Sequence, residues 1–285
     1  MRLSTSSNIH GKCDGHDSFF GICDSIEACR RAGFGAIDLT LHTEAIGEGR
    51  LMKPDWRNWV AEVKEKLAEQ EMTARQCHGV YFSNLKPWTP EIRVDYKERI
   101  RRCILAAGAL GIPWMVTHPI CGVHVKNMTE DEIIAKNIAF FGQFEPLMRQ
   151  EGVGIALENT FIPHFDNGAM LARLADAFSS PLFGTCWDTG HANMVGSDQR
   201  EDILALGDHL KCLHIADNGG KSDDHLAPYT GTVPWGVVLA TLAESGFDGD
   251  FTLEVPKMTA HYPASMRDLI LKYLVELGER MLRFV

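Results

Sequence analysis

Short apolar runs alternate with segments of helical period along the whole chain, the pattern of βα units built around a parallel sheet. The apolar runs predict strands over 3–9, 34–41, 73–80, 114–119, 153–159, 183–188, 210–216 and 250–255. Apolar residues recurring every three or four positions predict helices over 25–32, 56–71, 92–110, 130–150, 167–178, 200–206, 235–244 and 264–284. Gly33, Gly111, Gly152 and Gly246 stand where a left-handed cap would end a helix just before the next strand. In the last helix Met266, Leu269, Ile270, Tyr273, Leu274 and Leu277 form one stripe, expected to face the barrel wall.

Eight strands and eight helices in 285 residues leave about 36 residues per unit, which fits a (β/α)8 TIM barrel occupying residues 1–285 as one domain. An open doubly wound sheet alternates in the same way, but it carries a glycine fingerprint after its first strand. The residues there, His10-Gly11-Lys12-Cys13-Asp14-Gly15, do not form one.

In such a barrel the C-terminal strand ends converge on one mouth, where chemistry is carried out. Six successive predicted strands end in a group able to hold a metal: His78, His118, Glu158, Asp188, His214 and Glu254. Their separations of 40, 40, 30, 26 and 40 residues are each close to one βα unit. A lone histidine or carboxylate at a strand end is ordinarily a helix cap or a satisfied core group. Six in succession are not explained that way. Carboxylates closing strands such as Ile155-Ala156-Leu157 would be costly to bury without a cation or hydrogen bonds. A divalent ion held by Glu158, Asp188, His214 and Glu254 removes that cost, and the mixed ligand set suits Mn²⁺, Co²⁺, Zn²⁺ or Mg²⁺.

Around this set, Trp187-Asp188-Thr189-Gly190-His191 adds an imidazole on the same mouth, expected to bind substrate or metal. The long segment 217–231 is read as a functional or mobile loop. On it, Asp223 and His225 could hold a second metal or a substrate oxygen, or stand in a solvated turn. Gly220-Lys221-Ser222 looks like the end of a phosphate loop, but Ile215 replaces its first glycine and no helix follows. No GxSxG nucleophile elbow occurs. His10, His16, Asp17 and His42 fall on early loops, and Phe82, Trp88 and Trp187 could wall a pocket or cover the rim.

Composition adds limits. A net charge of -10 argues against a surface built mainly to grip nucleic acid. The start of the chain is polar from its fourth residue, and the run 106–116 is too broken by glycine and proline to cross a membrane. The 8 cysteines contain no CxxC pair and are expected to be reduced, mostly buried thiols of a cytoplasmic protein, where the sequon at Asn127 has no meaning.

The ordered set resembles the xylose isomerase-like barrel superfamily of sugar phosphate isomerases and epimerases, which also contains apurinic-site endonuclease IV. The pieces that carry the resemblance are Ile155-Ala156-Leu157-Glu158-Asn159-Thr160, Trp187-Asp188-Thr189-Gly190-His191, Leu213-His214-Ile215-Ala216-Asp217, the stretch from Asp223 through His225, Pro228 and Gly231 to Trp235, and Leu253-Glu254. The resemblance implies one divalent cation, commonly Mn²⁺, on Glu158, Asp188, His214 and Glu254, with the two glutamates as acid and base. It implies a sugar, sugar phosphate or keto-cyclitol substrate, isomerised or epimerised through a metal-stabilised enediolate. His78, His118, His191, Lys221 and His225 would then contact that substrate, and the assembly could be a homo-oligomer. The chain departs from the tagatose epimerase branch in its long loop, which has Lys221 but no arginine. Three other readings stay open: an endonuclease IV-like phosphodiesterase using His78, His118, His191, Asp223 and His225 as further ligands, a dehydratase of the same family, and a binding subunit without turnover.

Overall fold

The computed structural model describes residues 1–10, 21–81, 85–256, 258–260 and 262–285, so Cys13, His16, Asp17 and Phe82 lie outside the described residues. In chain order the elements are β1 (Arg2–Thr5), α1 (Ile22–Ala32), β2 (Leu39–Thr40), α2 (Leu41–Ala45), α3 (Trp56–Glu69), β3 (Gln76–His78), α4 (Pro90–Leu110) and β4 (Trp114–Thr117). They continue with α5 (Glu130–Phe141), α6 (Glu145–Glu151), β5 (Gly154–Glu158), α7 (Gly168–Ala177), β6 (Phe183–Asp188) and α8 (Thr189–Val195). The last are α9 (Gln199–Leu206), β7 (Leu210–His214), α10 (Trp235–Ser245), β8 (Asp250–Leu253) and α11 (Ala264–Leu282).

Every strand pairs in parallel, β2 to β7 in sequence order as one arc and β1 with β8 as a second. Two narrow seams join the arcs into a ring. At one, the Asp38 N–H donates to Thr5 O (2.9 Å) and the Ser7 N–H to Asp38 O (2.8 Å). At the other, the Ile215 N–H donates to Thr252 O (2.8 Å) and the Glu254 N–H to Ile215 O (3.0 Å). The eight-stranded barrel is therefore closed, as the unit count predicts.

Side chains alternate between the two faces of a strand. Outward residues such as Met115, Ile155, Leu157, Trp187 and Leu213 join the large core under the helices, while Val116, Ala156, Cys186 and Cys212 form a small separate cluster with Trp114. Bulk is restricted around Trp114. A Cβ on Gly154 would lie 2.3 Å from its ring, so only glycine fits at that position.

The four predicted caps are left-handed, with φ of 119° at Gly33, 73° at Gly111, 69° at Gly152 and 69° at Gly246. Three expectations need correction. The helix predicted over 130–150 is broken between α5 and α6, because Pro146 has no N–H to donate and its ring clashes with a preceding turn of helix. The strand predicted over 34–41 shrinks to Leu39–Thr40 with isolated bridges at Ala36 and Asp38, since α2 begins at Leu41. The inward stripe of α11 is Leu271, Leu274, Val275, Gly278 and Met281, whereas Met266, Leu269 and Tyr273 are exposed. Gly278 sets this rotation by letting the helix lie against Leu3, where a Cβ would fall 2.3 Å from Leu3 Cδ1.

Candidate metal centre and active site

The inward alternation carries each ladder upward to a polar last residue. Gly154, Ala156 and Glu158 climb β5, Gly184, Cys186 and Asp188 climb β6, and Cys212 and His214 climb β7, with Glu254 just past β8. Glu158, Asp188, His214 and Glu254 each offer a ligand atom, and these atoms all lie within 4.8 Å of one another. All four residues are buried.

Local hydrogen bonds aim them. Asn159 clamps the Asp188 backbone, its Nδ2 donating to Asp188 O (2.9 Å) and its Oδ1 accepting from Asp188 N (2.6 Å). Asp188 Oδ1 caps α8 by accepting from the His191 N–H at 2.7 Å. Its Oδ2 has no hydrogen-bond partner. Glu158 Oε2 is likewise unsatisfied, although His118 Nε2 and His78 Nε2 stand 3.1 and 3.3 Å away. Two orphaned, buried carboxylate oxygens facing an imidazole and a further carboxylate are what a divalent cation would complete. The residues present therefore fit the metal that the strand ends predict.

Electrostatics are set by burial and by close carboxylates. Burial pushes Asp188 up to about 7, helped by the charges of Glu254 and Glu158. Burial also pushes Glu158 up, but His214 and His118 outweigh it and hold that carboxyl well below its usual range. For His214 burial opposes protonation, and the surrounding carboxylates overcome it, holding the ring well above its usual value. His42 is driven down to about 3 by burial and by His78 and His118, and it stays neutral.

A cavity of 310 Å³ opens above this group, lined by His78, His118, Glu158, His191, Asp223, His225 and Glu254 together with Asn8, Thr40, His42, Thr43, Tyr81 and Pro256. Tyr81 stacks between His42 (4.1 Å) and His118 (4.2 Å), forming an aromatic wall. Asp223 bridges two imidazoles, His225 Nε2 at 3.2 Å and His191 Nε2 at 3.5 Å. Burial lowers the basicity of His225, but Asp223 and Glu254 reverse it and lift the ring to about 9.

The segment 217–231 is fastened rather than loose. Fully buried Asp217 accepts from the N–H groups of Asn218 (2.9 Å), Gly231 (3.0 Å) and Val233 (3.0 Å) and from Trp235 Nε1 (2.9 Å). A reciprocal backbone pair with Leu226 folds the first half of the loop back on itself, which delivers Asp223 and His225 to the mouth.

Lys221 projects from the same loop as an exposed side chain outside the cavity lining. His10 is buried, bonded to Thr259 (2.8 Å), and is not among the residues that line the cavity. Trp187 does not reach the rim: it is fully buried in the outer core, donating to Gln199 Oε1 at 3.3 Å. Trp88 lines a different hollow, of 460 Å³, with Ile120 and Phe140. Reading the strand ends missed Asp38, Tyr81, Thr40 and Asn8. Asp38 had a signal, being the one charge in the apolar stretch 34–41. Of the cysteines, Cys29, Cys77, Cys103, Cys121, Cys186 and Cys212 are buried and unbridged, and Cys23 is half-buried.

The chain is 30% identical over 170 residues to the uncharacterized protein y4fM of Sinorhizobium fredii, covering 56% of this chain and spanning about half (52%) of that protein's length. It is 28% identical over 222 residues to the "Probable endonuclease 4" of Geotalea daltonii, 70% of this chain and 73% of that one. Among solved structures, a D-tagatose 3-epimerase-like protein superposes with a TM-score of 0.74 at 23% identity, covering 99% of this chain and 100% of the other. The sequence profile of one family matches residues 26–274, and on that match, with the closed eight-stranded barrel beneath it, the chain belongs to the Xylose isomerase-like TIM barrel family.

Proposed function

We propose that this protein is a divalent-metal-dependent sugar isomerase or epimerase, with Glu158 and Glu254 as its acid and base. The observation that carries the reading is the placement of both glutamates on one cavity of 310 Å³, a size suited to a small ligand. A cation on Glu158, Asp188, His214 and Glu254, Mn²⁺ by preference, would polarise adjacent carbonyl and hydroxyl oxygens of a keto sugar and acidify the intervening C–H. One glutamate takes that proton and the other returns one. Return to the opposite face of the same carbon gives an epimer; return to the neighbouring carbon, with the hydroxyl proton passing to the former carbonyl oxygen, gives an isomer. His78, His118, His191 and His225 supply donors and acceptors for hydroxyl groups, and the face of Tyr81 packs against the sugar's C–H bonds. Among the described residues no lysine or arginine lines the cavity, which favours an unphosphorylated substrate. The resemblance to a D-tagatose 3-epimerase-like structure supports the same class.

The second reading, metal-dependent incision of DNA, is favoured by the same cavity in one respect. His78, His118 and Glu158 form a second group with metal-ligand spacing, and a relative carries an endonuclease name. Against it stand the net charge of -10 and a cavity lining without lysine or arginine among the described residues, since DNA affinity comes largely from phosphate contacts by basic residues.

The two are separated by assaying Mn²⁺- and Zn²⁺-loaded protein for exchange of solvent deuterium into the C–H beside the carbonyl of free keto sugars, and for cleavage of apurinic DNA. Exchange is expected, reduced about 10²- to 10⁴-fold in Glu158→Gln or Glu254→Gln. DNA incision with no exchange into any sugar would replace the first reading by the second.

A further inference from the structure

Asp38 sits one pleat below the mouth, with 1% of its surface exposed. Each of its oxygens has a fixed donor: the His78 N–H reaches Oδ1 at 3.1 Å and Gln76 Nε2 reaches Oδ2 at 2.7 Å. Gln76 Nε2 also donates to Leu213 O at 3.3 Å, the residue before His214. The carboxylate so held faces His214 Nε2, with Oδ2 at 3.3 Å. The other ring nitrogen, Nδ1, faces the ligand group, 2.7 Å from Glu158 Oε1 and 3.3 Å from Glu254 Oε2. Because β2 and β7 are the edge strands of the six-stranded arc, the Asp38–His214 contact runs as a chord through the barrel interior.

A neutral imidazole has one lone pair to give, and the partner behind the ring decides which nitrogen gives it. We propose that Asp38 is a positioning residue of the metal centre: it accepts the Nε2 proton of His214 and thereby fixes both the ring plane and the tautomer that presents the Nδ1 lone pair to a cation. The proposal rests on the reading of Glu158, Asp188, His214 and Glu254 as metal ligands. A merely structural Asp38 would need its bonds to Gln76 and His78 but not the one to His214, and its loss would lower stability without changing metal affinity.

The test measures Co²⁺ affinity by competition with a chelating dye, the visible spectrum of bound Co²⁺, and the melting temperature of the metal-free protein. It compares wild type with Asp38→Asn and with Gln76→Ala, which disturbs the same buried bonds but keeps the carboxylate behind His214. Asp38→Asn is expected to bind Co²⁺ about 10- to 100-fold more weakly with an altered spectrum. Gln76→Ala is expected to melt lower while staying within about threefold of wild-type affinity, the smaller effect of a partner one bond further from the ligand. Wild-type affinity and spectrum in Asp38→Asn, or an equal loss of affinity in Gln76→Ala, would overturn the proposal. Should Asp38→Asn not fold, [15N]histidine NMR of the Zn²⁺-loaded wild type decides: a proton on Nε2 of His214 is expected, and a proton on Nδ1 overturns the assignment. Failure of the wild type to bind any cation would overturn the metal reading and this proposal together, whereas wild-type binding with an unaffected Asp38→Asn overturns only the role of Asp38.

Discussion

Asp188 shows how one buried carboxyl can be both structural and chemical. Its Oδ1 ends in a helix cap while Oδ2 is left without a partner, and burial raises its pKa from 3.8 to about 7. In the metal-free protein the folded state therefore holds a proton that the unfolded chain releases above about 4, so this group costs stability as pH rises through that window and no further once both states are ionised. A cation must displace the proton. It must also displace the one on His214 Nδ1, whose ring is held well above its usual pKa. Two protons should then leave on binding below pH 7 and one above it, so the logarithm of the metal association constant should rise with a slope of about 2 below neutrality and about 1 just above it. Calorimetric titrations from pH 5.5 to 8 check this, and a flat profile would show that neither group ligates the metal.

At the scale of elements, the predicted strand ends were readable because a strand's period of two carries one inward ladder to the mouth, whatever the strand's exact start. Asp38 escaped that reading for the same reason. Leu39 pairs with Cys77 and Thr40 with His78, so Asp38 lies level with Gln76, one inward layer beneath the mouth, and a reading of last residues alone does not reach that layer. The face of α11 was misread because a count of apolar side chains gives Gly278 no weight, although its missing side chain decides how closely the helix approaches β1. The loop over the mouth was read as functional or mobile from its length, and length does not distinguish a mobile segment from a fastened one. Its fastening predicts the outcome of Asp217→Asn. An amide there turns two N–H bonds toward donors that need an acceptor, which should cost about 3 kcal/mol in denaturant unfolding. Limited proteolysis should meanwhile begin at exposed Lys221. Unchanged stability and protease resistance would show that Asp217 does not hold the loop.

Across the whole molecule the ring is unevenly joined. Six strands share a continuous ladder, β1 and β8 form a pair, and among the described residues only short bridges cross between them. Glu158, Asp188 and His214 belong to the larger arc, while Glu254 follows β8 on the smaller one. A cation shared by these four would act as a hoop on a two-part cask, gripping the staves on either side of one of its two joints. Chelation would then loosen the joint before it disturbs the wall. Backbone amides of Ile215 and Glu254, which make the crossing bonds, should exchange with deuterium faster in chelator, whereas those within β5 and β6 should hardly change. Equal acceleration in every strand would mean that the two arcs open as one body. On this view the chemistry at the mouth and the integrity of the seam draw on the same ion, and a cell short of metal would lose activity and closure together.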